Sequence, residues 1–113
     1  FVAKGAEFLV IQANDGWLGS SFGPYQHFEL ARLRAIENRI PIVRSANTGI
    51  SGIINIDGSI KTKVQLNEEK IIFGSIGTNK NGSFYTKYGD IFGILSSVIS
   101  LIVISFKCRK YFY

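Results

Sequence analysis

The chain has 113 residues, a net charge of +5, one cysteine and one histidine. That length allows a single domain with a modest core, and a lone Cys108 excludes an intramolecular disulfide and with it a staple-dependent secreted mini-domain. The positive surplus is concentrated near the C-terminus, where Lys107, Arg109 and Lys110 supply three of the 13 Lys and Arg while all 8 Asp and Glu lie within residues 1–90. No basic stripe is left on the rest of the chain to hold nucleic acid, and a basic flank beside an apolar run points to a membrane instead.

Residues Phe1 to Ala6 read as the last turn of a helix, with Lys4 favourable near its C-terminus and Gly5 at its cap. The opening has neither Met nor a signal-peptide pattern, so the chain is expected to be the C-terminal piece of a longer one. Phe8 to Ala13 follows as a fully buried strand, because four consecutive apolar residues leave no wet face. It breaks into Asn14-Asp15-Gly16, a tight-turn sequence that favours positive φ, and then Trp17. In open α/β sheets ligands bind beyond the carboxyl ends of strands, which is where Trp17 stands; alternatively it caps the edge of the core.

Gly23 as N-cap and Pro24 as first helical residue predict a helix running to Asn38. Its apolar positions cover most of the wheel and leave Glu29 and Arg32 on one polar strip, which suits a sheet on one side and a partner layer on the other. Arg32, Arg34 and Glu37 are candidates for ion pairs along it. Ile40 to Ala46 is a second strand with Pro41 at its start, ending in the polar turn Asn47-Thr48-Gly49. Ile50–Ile56 and Ile60–Leu66 read as a hairpin joined by a two-residue Asp57-Gly58 turn, and Ile71–Ile76 as a last strand. Gly77 to Asp90 is polar, rich in Gly and Asn, and without period, so it reads as a linker.

Ile91 to Phe106 then carries no charge at all. As a helix this run covers roughly 24 Å at 1.5 Å per residue, a little short of the hydrocarbon core of a bilayer. Lys107 can snorkel, Tyr88, Phe106, Tyr111, Phe112 and Tyr113 suit the interface, and serine hydroxyls can bond back to the helix. The reading is a transmembrane helix with the basic tail 107–113, including Cys108, in the cytoplasm and residues 1–90 on the opposite side. A buried core helix is the competing reading.

The residues offer no nucleophilic constellation. Cys108 lies in the basic tail, and His27 at a helix start has no triad partner at recognisable spacing, so it is expected to fix the local loop. No His/Cys/Asp cluster has metal-ligand spacing, and the glycines at 16, 19 and 23 follow neither nucleotide-binding pattern, so no metal or cofactor is expected. What remains is a pair of polar turns at strand ends, Asn14 to Trp17 and Asn47 to Ser51, which side by side make one wall of a pocket.

Taken together, Gly5-Ala6-Glu7-Phe8-Leu9-Val10, Asn14-Asp15-Gly16-Trp17-Leu18-Gly19, Gly23-Pro24-Tyr25-Gln26-His27, Ala31-Arg32-Leu33-Arg34-Ala35-Ile36-Glu37-Asn38 and Asn47-Thr48-Gly49-Ile50-Ser51 resemble the nitrilase superfamily. The resemblance is strongest to its membrane-bound branch, the bacterial apolipoprotein N-acyltransferases, and covers nearly all of residues 1–90. It implies an α/β fold, namely part of a nitrilase-like α-β-β-α sandwich over 1–76, a linker over 77–90, and a transmembrane helix over 91–106. It also implies a Glu-Lys-Cys catalytic set upstream of this chain, the cysteine passing an acyl chain from a phospholipid donor to the α-amine of a lipoprotein's diacylglyceryl-cysteine. Neither Cys108 nor Glu29 matches a catalytic position, so the chain alone is expected to be inactive.

On the same resemblance Trp17 matches a pocket tryptophan, and Asn14, Asn47 and Thr48 match the substrate-binding wall. Leu18 departs from the Phe that usually follows the tryptophan. The implied setting is the bacterial inner membrane, with residues 1–90 periplasmic and a monomer at full length. The alternatives are a nitrilase-fold amidase fragment that hydrolyses carbon–nitrogen bonds and a non-catalytic, membrane-anchored remnant.

Overall fold

The computed structural model describes residues 1–111, with side chains through Lys107. A 3₁₀ turn at Val2–Lys4 leads through Gly5, whose φ of 95° gives the left-handed cap expected there, into β1 (Leu9–Ala13). A second 3₁₀ turn at Gly16–Leu18 precedes α1 (Gly23–Asn38), which crosses back to β2 (Ile42–Ala46). β3 (Ser51–Ile54) and β4 (Ile60–Val64) complete a four-stranded sheet in the order β1-β2-β3-β4. β1 and β2 are parallel, as a helical crossover requires, while β2–β3 and β3–β4 are antiparallel. The fold is therefore mixed α/β.

The core lies between α1 and one face of the sheet. Phe28, Ala31 and Ala35 of α1, spaced three and four apart, meet Ile42, Ile50 and Ile54, with Leu9 and Ile11 packed against them. On the outward face of α1 Leu30 and Leu33 stand about half exposed, and Ile36 lies against the Gly58 turn. The helix begins one residue differently from expectation: Phe22 is the N-cap and Gly23 the first helical residue, followed by Pro24. The expected pairs form along it, Arg32 Nη1 donating to Glu29 at 2.7 Å and Arg34 Nη1 to Glu37 at 2.6 Å.

Several expectations are corrected. β1 is not fully buried: its burial alternates and Val10 is 61% exposed, because it is an edge strand with one face uncovered. Asn14-Asp15-Gly16 carries no positive φ; the chain turns through the 3₁₀ helix, and the left-handed residue is Gly19. The hairpin turn spans 55–59 rather than two residues, with Gly58 N–H donating to the Asn55 carbonyl and the Asp57 carboxylate accepting from Ser59 N and Oγ.

Residues 71–76 form no strand. They run across the sheet face that α1 leaves free, so close that a Cβ on Gly74 would stand 2.5 Å from Ile53 Cδ1. A segment lying over a face has no ladder to join. The stretch read as a linker contains α2 (Phe84–Tyr88), opened by a reciprocal capping box between Ser83 and Thr86.

α3 (Ile91–Tyr111) is helical through the whole uncharged run. Of its described residues all but Gly93 are exposed, so α3 takes no part in the core of the described residues. Ser97, Ser100 and Ser105 each return their hydroxyl to the carbonyl four residues earlier at 2.8 Å. Among the described residues no helix is long and apolar enough to cross a membrane, so the transmembrane helix expected over 91–106 is not supported. The side chains of Cys108, Arg109, Lys110 and Tyr111, and all of Phe112 and Tyr113, lie outside the described residues, and with them the cytoplasmic-tail reading.

Candidate functional site

Because β1 and β2 are parallel neighbours, with Ala13 opposite Ala46, their carboxyl ends deliver two loops to the same place. Asn47 N–H donates to the Ala13 carbonyl at 3.3 Å and extends the pairing one step beyond the strands. The two loops are then tied through side chains. Asn14 Oδ1 accepts from Asn47 Nδ2 at 2.8 Å and from Gly16 N–H at 3.2 Å, while Asn47 Oδ1 accepts from Asp15 N–H at 3.1 Å.

Beneath them is an ion pair out of solvent. Asp15 and Arg44 are 1% and 2% exposed, and Arg44 Nη2 donates to Asp15 Oδ2 at 2.8 Å. The guanidinium is satisfied further by Nε donating to the Ile50 carbonyl at 3.1 Å. His27, on the first turns of α1, donates from Nδ1 to the other carboxylate oxygen at 2.8 Å. One carboxylate thus gathers β2, α1 and both loops, the burial of charge being offset by pairing and hydrogen bonds on both oxygens. Gly49 packs against it so tightly that a Cβ there would stand 2.0 Å from Asp15 Oδ2.

Of the residues singled out for the pocket wall, Asn14 and Asn47 touch each other, and their side chains hold the two loops together. Thr48 stands on the second loop beside Gly16, its Oγ1 3.7 Å from where a Gly16 Cβ would be. Trp17 is 80% exposed at the tip of the first loop, so it does not cap the core edge. A shallow, open depression lined by Gln12, Ala13, Asn14, Ser45, Ala46 and Asn47 runs along the strand ends. His27 fixes the local loop, as its position suggested.

The sequence reading did not single out Asp15 and Arg44 as a buried pair. The available signal was an arginine directly after the apolar run Ile40-Pro41-Ile42-Val43 in a strand, which demands a partner when buried. Among the described residues no group of His, Cys, Asp and Glu is arranged to hold a metal ion.

β1, α1 and β2 form a βαβ unit with two tied loops at its strand ends. The carbon–nitrogen hydrolase model matches residues 1–84, and the chain belongs to that family. Within it, the sequence is similar to several apolipoprotein N-acyltransferases. It is 44% identical over 110 residues to that of Geobacter metallireducens, covering 97% of this chain and 21% of the relative. The Rickettsia prowazekii protein is 42% identical over 101 residues, 88% of this chain and 20% of its own length. That of Bradyrhizobium diazoefficiens is 45% identical over 84 residues, 74% and 16% respectively. The chain therefore spans about a fifth of the length of the curated relatives it matches.

Proposed function

We propose that this chain is the C-terminal portion of an apolipoprotein N-acyltransferase, moving a fatty acyl chain from a phospholipid to the N-terminal diacylglyceryl-cysteine of a lipoprotein. The observation that carries the reading is 44% identity over 97% of the chain to a protein of that name, a similarity extending past the family-model match into α3. In this reading the Glu, Lys and Cys of catalysis lie outside these residues. The cysteine gives its proton to the glutamate and attacks the phospholipid ester, the glutamic acid returns that proton to the departing lysophospholipid, and the acceptor amine then displaces the cysteine from the thioester, its proton passing by way of the glutamate to the sulfur.

The present residues supply one wall of the pocket. Trp17 and Thr48 face the substrates from the two loop tips, and Asn14 and Asn47 keep the tips in register. The exposed apolar run 91–106 of α3 meets the membrane, with Lys107 snorkelling and the N-terminal domain in the periplasm. Support comes from exposed apolar side chains along α3 and from serines whose hydroxyls are satisfied within the helix.

The test is acyl transfer to a synthetic diacylglyceryl lipopeptide in phospholipid–detergent micelles by the full-length protein. Trp17→Ala should lower transfer by about tenfold or more, while stability changes by no more than about 0.5 kcal/mol, as for other exposed positions. Unchanged transfer would remove Trp17 from the site. Release of ammonia from an amide substrate, with no acyl transfer, would move the protein to the amidases.

A further inference from the structure

We infer that Asp15 and Arg44 are positioning residues that set the pocket wall from below, a role that rests on the acyltransferase reading. The two loop tips that would meet substrate carry no regular structure of their own beyond a single 3₁₀ turn. Their register comes from the carboxylate of Asp15, held on one oxygen by Arg44 and on the other by His27, and from its N–H bound to Asn47. Arg44 spans two anchor points, Asp15 and the Ile50 carbonyl, so it joins the first loop to the start of β3. Gly49 closes the assembly by packing on the same carboxylate, where no side chain fits.

A shift of Asp15 therefore moves Trp17, two residues on, and Thr48 together. Neither anchor touches the reacting atoms, so loosening them costs binding rather than chemistry, and it shows in KM more than in kcat.

Two measurements test this. In the full-length enzyme, Gly49→Ala places a methyl where the Asp15 carboxylate sits, and Asp15→Asn removes the charge while keeping the shape. Both should raise KM for the lipopeptide acceptor about tenfold with kcat, per thiol titrated as acyl-enzyme, within about threefold. Arg44→Lys, which keeps the charge but not both anchor bonds, should recover part of what Arg44→Met loses. A purely structural role would lower the titratable amount of enzyme and leave KM alone, and that result overturns the inference.

The second measurement uses the 113-residue chain in detergent micelles, where Trp17 is the sole tryptophan. Its fluorescence anisotropy should fall in Gly49→Ala and Asp15→Asn and hold in Asp57→Ala, a remote turn. If wild-type enzyme transfers no acyl group the functional reading falls, and the anisotropy still decides the lock. Equal anisotropy in all four proteins ends it.

Discussion

Arg44 and Asp15 show how much one buried pair does at the scale of the residue. Removing either partner leaves a charge out of water without its counter-ion, which costs about 3–5 kcal/mol, whereas exposed pairs such as Arg32–Glu29 contribute about 0–1 kcal/mol. The same contrast of setting applies to acids. Hydrogen bonds from the Ser59 side chain and then its backbone hold the Asp57 carboxyl below its ordinary value of 3.8. A lowered folded-state value means that Asp57 stabilises the hairpin turn above the unfolded-state pKa, and that this contribution disappears as pH falls through the folded value. Protection factors of the amides in the 55–59 turn, corrected for the intrinsic pH dependence of exchange, should fall on acidification toward pH ~3 in wild type, with a smaller change in Asp57→Asn. Arg34 is shifted the other way, upward, by its hydrogen bond to Glu37.

At the scale of elements, the parts that could be read directly were those whose signal is local. Pro24 and the apolar spacing of Phe28, Ala31 and Ala35 mark α1, and β-branched runs mark β1 and β2. Two elements went the other way. Ile71 to Ile76 has strand composition but lies across the sheet, and Ile71 and Phe73 remain more than 80% exposed. α2 has linker composition but is nucleated by Ser83, whose Oγ accepts from Thr86 N–H at 3.0 Å and donates to the Glu37 carbonyl at the end of α1. Thr86 adds a bond to Asn38 Oδ1 at 3.1 Å. Ser83→Ala should therefore cost about 1–2 kcal/mol and detach α2 from α1. The measurement is amide exchange of Phe84 to Gly89, which should rise by about tenfold or more without change in α1.

For the whole molecule, the exposed surfaces decide behaviour. Among the described residues β1 presents an unpaired edge, α1 carries half-exposed Leu30 and Leu33 on its outer face, and α3 exposes apolar side chains along the run 91–106. Residues 1–90 expressed alone should form no monomeric species with a cooperative thermal transition, because the edge and the open apolar face favour association. Calorimetry with sedimentation checks this, and a single cooperative monomer transition would contradict it. The 113-residue chain should float with phospholipid vesicles and transfer no acyl group, and recovery in the aqueous fraction would sink the membrane assignment.

Asn14-Asp15-Gly16-Trp17, the Gly-Pro start of α1 and the Asn47-Thr48-Gly49 turn carried the resemblance to the family, and turn chemistry and hydrophobic period, which act over a few residues, placed two polar loops at strand ends. They could not say what the polar side chains do there. Asp15 meets Arg44 across 29 positions and Asn14 meets Asn47 across 33, and no local rule encodes such pairs. Only the parallel register of β1 and β2 brings them within hydrogen-bond distance, and burial turns an ordinary carboxylate and guanidinium into a pair held out of water.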